Sequence, residues 1–181
     1  MTDQRIVQRA LTYEQDATLD GNQVTLRRMV NTREGRAFEW LVDPVKAALW
    51  SPCVPTARVS GTGPVQLRRD LDGATAECQV LEYKAPHRLA YDWEGQEVLF
   101  TIAGTGIVPA ASPSCLLTIR QTLPDPSAAA EIATRWHLCV SVLDLRVAGM
   151  DVPRTVGVDP EEPAFVELQE QFRQALGAAG S

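Results

Sequence analysis

Short runs of alternating hydrophobic and polar residues fill the middle of the chain. Alternation places every second side chain on the same face of a β-strand. Glycine and proline separate the runs at positions suited to turns. Because the connections between the last six runs are too short for a crossover helix, we expect neighbouring strands to be antiparallel. The pattern predicts strands at residues 23–30, 56–61, 64–70, 75–84, 88–94, 96–103 and 114–123.

Several segments outside these strands carry hydrophobic residues at helical spacing. Residues 33–42 place hydrophobic side chains on one face, and Asp43 followed by Pro44 is typical of the cap and first position of a second short helix. The long segment 127–149 carries an apolar stripe at spacings of three and four residues. A last helix is predicted at 163–177, with a smaller stripe that we expect to pack on the outside of the domain or on a partner subunit.

These elements predict an α+β protein in three parts. We expect a flexible N-terminal extension at residues 1–20, formed by a tail or a short helix, and a ligand-binding domain at residues 21–150. A C-terminal extension at residues 151–181 would contain the packing helix. Residues 104–113, which include two glycines and two prolines, are expected to form a flexible rim.

Composition and charge exclude some classes of function. The chain has 181 residues, of which 45% are hydrophobic and 22% charged, as in an ordinary soluble domain. The net charge is −6 and the isoelectric point is about 4.9, so nucleic acid is not an expected partner. No apolar run approaches the roughly 18–20 residues that cross a bilayer, and the N-terminus lacks the hydrophobic region of a secretory signal. We therefore expect no membrane partner and a cytoplasmic location.

The cysteines and histidines are too dispersed for a predicted metal site. The four cysteines lie far apart and form no CxxC pair, and His87 and His137 are the two histidines. A tetrahedral zinc site needs clustered ligands. We expect no metal and no cofactor, and cysteines that act as small buried hydrophobic residues.

Several sequence segments carry a resemblance to a known superfamily. They are FEWLVDPVKAALW at 38–50, VLEYKAPHRLAYDW at 80–93, EVLFTI at 97–102, CLLTIRQT at 115–122 and RWHLCVSVL at 135–143. In this order they resemble the helix-grip (START-like, Bet v 1-like) superfamily. More narrowly, these segments are similar in sequence to the bacterial branch named after the activator of the Hsp90 ATPase, whose members are called SRPBCC domain proteins. The resemblance covers roughly residues 22–177.

The resemblance implies a seven-stranded, curved antiparallel sheet wrapped on a long C-terminal helix. Two short helices would follow the first strand, an extra helix would close the chain, and an apolar cavity would lie between sheet and helix. This chain departs from the branch at several polar positions. Thr101 stands where an acidic residue is usual, and Gln121 stands where histidine is usual. A polar function shared by that branch would thus be lost or changed here.

Inward-facing residues of the strands and helices are the expected ligand-binding residues. Aromatic cavity walls favour flat or polycyclic ligands through stacking. Plain core packing is the alternative for each of them, and coverage of the sheet edge is the alternative for the two tryptophans on the short helices. The candidates are Leu89, Trp93, Phe100, Leu117, Trp136 and Val140, with Trp40 and Trp50 at the expected cavity mouth.

Three polar side chains are candidates for catalysis. His137 has a reference pKa near neutrality, and Tyr91 and Gln121 would steady developing charge through a hydrogen bond. His137, Ser141 and Asp144 share a helix face, but His137 and Asp144 are separated by roughly 10 Å of helical rise. A catalytic triad is therefore not supported, and a structural role for His137 is the alternative.

The sequence leaves two main functions open. The first is binding of a small hydrophobic molecule, polyketide-like or aromatic, in an internal cavity. A cofactor-independent cyclase, lyase or isomerase would then act by positioning its substrate. The second is a non-catalytic, co-chaperone-like interaction module that uses the closing helix. The same helix could also form the interface of a homodimer. Sequestration of a toxic metabolite is a third function, which needs the same cavity.

Overall fold

The alternating segments form one curled antiparallel sheet of eight strands within the described residues. The computed structural model describes residues 1–68, 73–106 and 113–179. Across the sheet the strand order is β1-β2-β8-β7-β6-β5-β4-β3, and every neighbouring pair is antiparallel. In chain order the strands are β1 Ala17–Asp20, β2 Gln23–Val30, β3 Val54–Pro55, β4 Gly63–Arg68, β5 Thr75–Lys84, β6 Arg88–Trp93, β7 Gln96–Gly104 and β8 Cys115–Thr122.

Five α-helices accompany the sheet in the same described ranges. They are α1 Gln4–Thr12, α2 Glu34–Val42, α3 Pro44–Ala47, α4 Ala129–Val147 and α5 Pro163–Ala179. The predicted cap of the second short helix is confirmed, because the Asp43 carboxylate accepts hydrogen bonds from the backbone N–H groups of Val45 and Lys46 at 2.9 and 3.0 Å.

Helix α4 is the centre of the molecule. Fifteen of its nineteen residues are buried, so it is covered on nearly all sides. The sheet lies against one side, and α1 and α5 pack against the other. A helix that is buried all round needs partners on every face, which explains why segments before and after the sheet fold onto it.

Aromatic side chains fill the middle of the interface between the sheet and α4. Phe100 on β7 contacts Tyr91 on β6 and Trp136 on α4 edge to face, with centroid distances of 6.4 and 5.6 Å. Trp50 is fully buried and donates its indole N–H to the Trp40 carbonyl oxygen at 2.9 Å.

The predicted number of strands is wrong. The sheet has eight strands instead of seven because Ala17–Asp20 pairs with Gln23–Val30 as a short edge hairpin. The strand predicted at 56–61 is replaced by the two-residue strand Val54–Pro55. Strand β1 is held by backbone hydrogen bonds to β2, and only its residue Ala17 becomes buried. Its side chains therefore show only a weak alternation of hydrophobic and polar residues.

The segment expected as a flexible extension at residues 1–20 contains both α1 and β1. Ile6 and Ala10 of α1 are fully buried, and α1 packs against α4. The closing helix is confirmed at Pro163–Ala179, and its apolar stripe is buried inside the chain through Phe165, Leu168 and Phe172. Most of the loop predicted at 104–113, and the predicted strand residues 69–70, lie outside the described residues.

Candidate functional site

A cleft of about 390 Å³ opens at one end of the interface between the sheet and α4. It lies beside the turn that joins β6 to β7, where the aromatic packing of the core stops. Strands β6, β7 and β8, helix α4 and the segment after α4 all contribute to it. The lining residues are Pro52, Trp93, Glu94, Gln96, Gln121, Ile132, Arg135, Trp136, Cys139, Thr155, Val156 and Gly157.

The turn between β6 and β7 fixes two of these side chains. Glu94 and Gly95 both have positive φ angles, 53° and 78°, as a two-residue hairpin turn with the twist of the strands requires. Positive φ is uncommon for a residue such as glutamate. The turn pairs Trp93 directly with Gln96, so both side chains lie on the same face of the sheet.

A relay of hydrogen bonds crosses the cleft from α4 to β7. The indole N–H of Trp136 donates to the side-chain oxygen of Gln121 at 2.8 Å. The side-chain nitrogen of Gln121 in turn donates to the side-chain oxygen of Gln96 at 3.0 Å. We call Trp136, Gln121 and Gln96 the amide relay. Gln121 is only 8% exposed, so these bonds satisfy polar groups that water reaches poorly.

Arg135, the positively charged residue of the cleft lining, is already engaged in structure. Arg135 bonds the Glu131 carboxylate at 2.8 Å, donates to the Val158 carbonyl oxygen at 3.3 Å and lies 5.1 Å from the centre of the Phe165 ring. Burial raises the pKa of the Cys139 thiol to about 11, which makes it a poor nucleophile at neutral pH.

Three of the predicted site residues line the cleft together: Trp93, Gln121 and Trp136. The other predicted ligand-binding residues are not among the lining residues. They are buried in the packed core instead, as Leu89, Phe100, Leu117, Val140, Trp40 and Trp50. Trp50 and Trp40 contact each other through the bond described above and do not lie at the mouth of this cleft.

Tyr91 lies in the core next to Phe100, away from the cleft lining. Its hydroxyl group is buried and has no hydrogen-bond partner among the described residues. Burial raises the pKa of this phenol far above its usual range. The side chain is therefore a neutral core residue with one unsatisfied polar atom.

His137 faces away from the cleft, towards α1 and α5. Its Nε2 atom lies 2.8 Å from the Ala10 carbonyl oxygen, so this nitrogen carries the proton. Its Nδ1 atom then accepts from the Arg28 guanidinium at 3.0 Å. Burial, followed by the nearby Arg28 charge, lowers the pKa of His137 to about 3. The ring is neutral at physiological pH.

The polar cluster around Arg28 was not predicted from the sequence. This guanidinium is 2% exposed, also donates to Ser141 Oγ at 3.1 Å, and lies 4.1 Å from the centre of the Tyr13 ring. Burial lowers its pKa to about 10. Asp144 accepts from the Asn31 backbone N–H at 3.0 Å in the same region. The signal was present, because Arg28 continues the inward alternation of Val24 and Leu26 on β2.

The described residues contain no group of three or more histidine, cysteine or acidic side chains placed to hold a metal ion. None of the helices in those ranges is long and apolar enough to span a bilayer.

Comparison with solved structures identifies the fold. A conserved protein of unknown function, EF2215 from Enterococcus faecalis, aligns with a TM-score of 0.64 and 14% identity over 97% of this chain and 96% of that one. CalU16 from Micromonospora echinospora aligns with a TM-score of 0.60 and 16% identity over 87% of each chain. DynU16, a protein of the dynemicin biosynthetic locus, aligns with a TM-score of 0.56 and 20% identity over 74% of this chain and 49% of that one.

No protein-family model matches the chain. No curated protein matches it either. The structural neighbours and the curled sheet on α4 are consistent with a helix-grip-like fold, and at these identities they establish the fold alone.

We expect Tyr91→Phe to leave the free energy of unfolding unchanged or to raise it by about 1 kcal/mol, because it removes a buried hydroxyl that has no partner. Tyr13→Phe is the matched contrast, since the Tyr13 hydroxyl donates to Asp144 at 3.2 Å, and it should destabilise by about 1 kcal/mol. Urea unfolding measures both. A clear loss of stability in Tyr91→Phe would show that the hydroxyl is satisfied.

The neutral His137 predicts a loss of stability in acid. Its folded pKa of about 3 lies below the unfolded value of 6.5, so between these values the unfolded chain binds the extra proton. The contribution of the neutral His137 ring to the free energy of unfolding is fully present above pH 6.5. It falls by about 1.4 kcal/mol per pH unit as the pH drops towards 3.

Urea unfolding of the wild type and His137→Gln at pH 7.5 and 4.5 tests this. The change in the free energy of unfolding between the two pH values is compared in the two proteins. Its difference isolates the contribution of the His137 ring, because the carboxylates titrate in both. His87→Gln, which changes the histidine outside the Arg28 cluster, is the matched control. An equal change in the free energy of unfolding with pH in the wild type and His137→Gln would contradict the assignment of a neutral His137 ring.

Proposed function

We propose that this protein binds a small, flat hydrophobic molecule in the cleft beside Trp93 and Trp136. The observation that carries the proposal is the cleft itself, about 390 Å³, with two tryptophans and a short hydrogen-bond relay in its lining. Ligand sites for small molecules measure roughly 300–1,000 Å³ and combine apolar walls with a few placed polar groups. The cleft has this size and this composition.

The walls favour an aromatic or polycyclic ligand. Trp93 lies at the end of β6 and is partly exposed, whereas the Trp136 ring is buried against Phe100. A flat ring system that enters between them gains stacking contacts in addition to burial of its own apolar surface. Ile132 and Val156 supply aliphatic contacts in the same lining.

The structural neighbours support a role in small-molecule metabolism. DynU16 has a similar fold and belongs to the dynemicin biosynthetic locus. We extend this to a cyclase-like activity of this chain, in which the cleft folds a flexible substrate into a reactive conformation without a cofactor. In this proposal the steadying hydrogen bond comes from the amide relay that contains Gln121, because His137 and Tyr91 do not line the cleft.

The alternative of an interaction module has less support. It depends on the closing helix, whose apolar stripe is buried against the rest of the chain through Phe165, Leu168 and Phe172. A partner or a second copy would have to use the remaining surface of α5. Sequestration of a metabolite uses the proposed cleft and differs only in having no turnover.

Binding of fluorene, a flat tricyclic hydrocarbon, tests the proposal by equilibrium dialysis. We expect saturable binding to the wild type and at least about tenfold weaker binding to Val156→Trp, because a large ring at this half-buried position fills the cleft. Val166→Trp makes the same change at a 50% exposed position on α5 and should bind as the wild type does.

Thermal melting confirms that both variants are folded before binding is compared. No saturable binding to the wild type, or equal loss in the two variants, would contradict a ligand site in this cleft.

A further inference from the structure

The amide relay has a fixed direction that begins at Trp136. An indole N–H can donate a hydrogen bond and cannot accept one. Trp136 is buried, with 4% of its surface exposed, and its N–H donates to Gln121. The oxygen of the Gln121 amide must therefore face α4, because the opposite orientation would oppose two donors.

The orientation of Gln121 determines that of Gln96. With its oxygen turned to Trp136, Gln121 presents its NH₂ group to β7, where the Gln96 oxygen accepts at 3.0 Å. Gln96 thus has its oxygen committed to the relay. Its own NH₂ group, with two donor hydrogens, has no protein partner in the part of the chain that the structure describes, and Gln96 lines the cleft.

We propose that the amide relay makes the cleft selective for a ligand that carries a neutral hydrogen-bond acceptor, a ketone or quinone carbonyl, directed at the Gln96 NH₂ group. The inference rests on the proposed function and adds the chemical class of the ligand to it. Gln96 acts here as a specificity-determining residue, and Gln121 and Trp136 act as positioning residues that keep its donors turned to the cleft.

The charges near the cleft favour a neutral acceptor over an anion. Arg135, the cation in the lining, is held by Glu131 and by the Val158 carbonyl oxygen. Glu94 adds an exposed carboxylate in the turn between β6 and β7. A ligand carboxylate would meet this negative charge, whereas a carbonyl gains the hydrogen bond from Gln96 with no such repulsion.

Fluorenone and fluorene form a matched pair for the test. They share the same three rings, and fluorenone has a carbonyl group where fluorene has a methylene group. Equilibrium dialysis of the wild type should show that fluorenone binds on the order of fivefold more tightly than fluorene, the ratio that one net neutral hydrogen bond supplies. Fluorene-9-carboxylate should bind no more tightly than fluorene.

The Gln96→Met variant keeps the side-chain length and removes the donors, so the ratio should fall to about one. Trp136→Phe removes the donor that sets the direction of the relay, and should also reduce the ratio. Gln79→Met, the same substitution at an exposed position on β5, is the control and should keep the wild-type ratio.

The outcomes separate this inference from the proposed function. If neither fluorenone nor fluorene binds the wild type, the ligand site itself is wrong. If both bind with equal affinity, or if Gln96→Met keeps the wild-type ratio, the site stands and the selectivity is overturned. A ratio unchanged by Trp136→Phe overturns the fixed direction of the relay, and tighter binding of fluorene-9-carboxylate than of fluorenone overturns the neutral acceptor.

Discussion

The hydrogen bond from the Trp136 indole to Gln121 sets the boundary between core and cleft. On one side of this indole, Phe100 and Tyr91 continue the close aromatic packing between the sheet and α4. On the other side the packing stops and the cleft begins. Because the indole N–H is buried, its bond to Gln121 is needed wherever the ring sits in this position. The bond therefore ties α4 to β8 at the place where a ligand would enter.

The opposite face of α4 is held by different chemistry. There Arg28 donates to His137 and Ser141, and the neutral His137 ring bonds the Ala10 carbonyl oxygen of α1. These bonds link β2 and α1 to α4, although Nε and Nη2 of Arg28 have no hydrogen-bond partner among the described residues. Helix α4 is thus fixed from both sides, which allows the cleft to be preformed on rigid elements. In this arrangement His137 stabilises the fold and Gln121 faces the cleft.

The sequence predicted the elements whose signals are local. The alternation at 75–84 gave the bounds of β5 to the residue, and Asp43 with Pro44 marked the start of α3. It did not predict β1, because backbone hydrogen bonds to β2 form that edge hairpin and its side chains carry little pattern. The packing of α1 was missed for a related reason, since only Ile6 and Ala10 of this nine-residue helix are buried.

Three of the lining residues of the cleft were among those that the sequence singled out, as Trp93, Gln121 and Trp136. Trp93 and Gln121 follow from strand alternation, which identifies the face of a side chain but not where packing ends along the strand. Leu89, Phe100 and Leu117 share that face and are core residues. Gln96 was missed because a polar residue beside a turn is ordinary in a hairpin. Its place in the amide relay depends on the contact with Gln121, which only the three-dimensional structure shows.

Trp93 and Trp136 line the open cleft, whereas Trp40 and Trp50 are buried and are not among its lining residues. The indole N–H resonances of the four tryptophans, followed by ¹H–¹⁵N NMR while an aromatic ligand is added, test this difference most directly. Ring currents from a ligand in the cleft should shift the Trp93 and Trp136 signals and leave Trp40 and Trp50 unchanged. Shifts confined to Trp40 and Trp50, or none in any of the four at saturating ligand, would contradict the account.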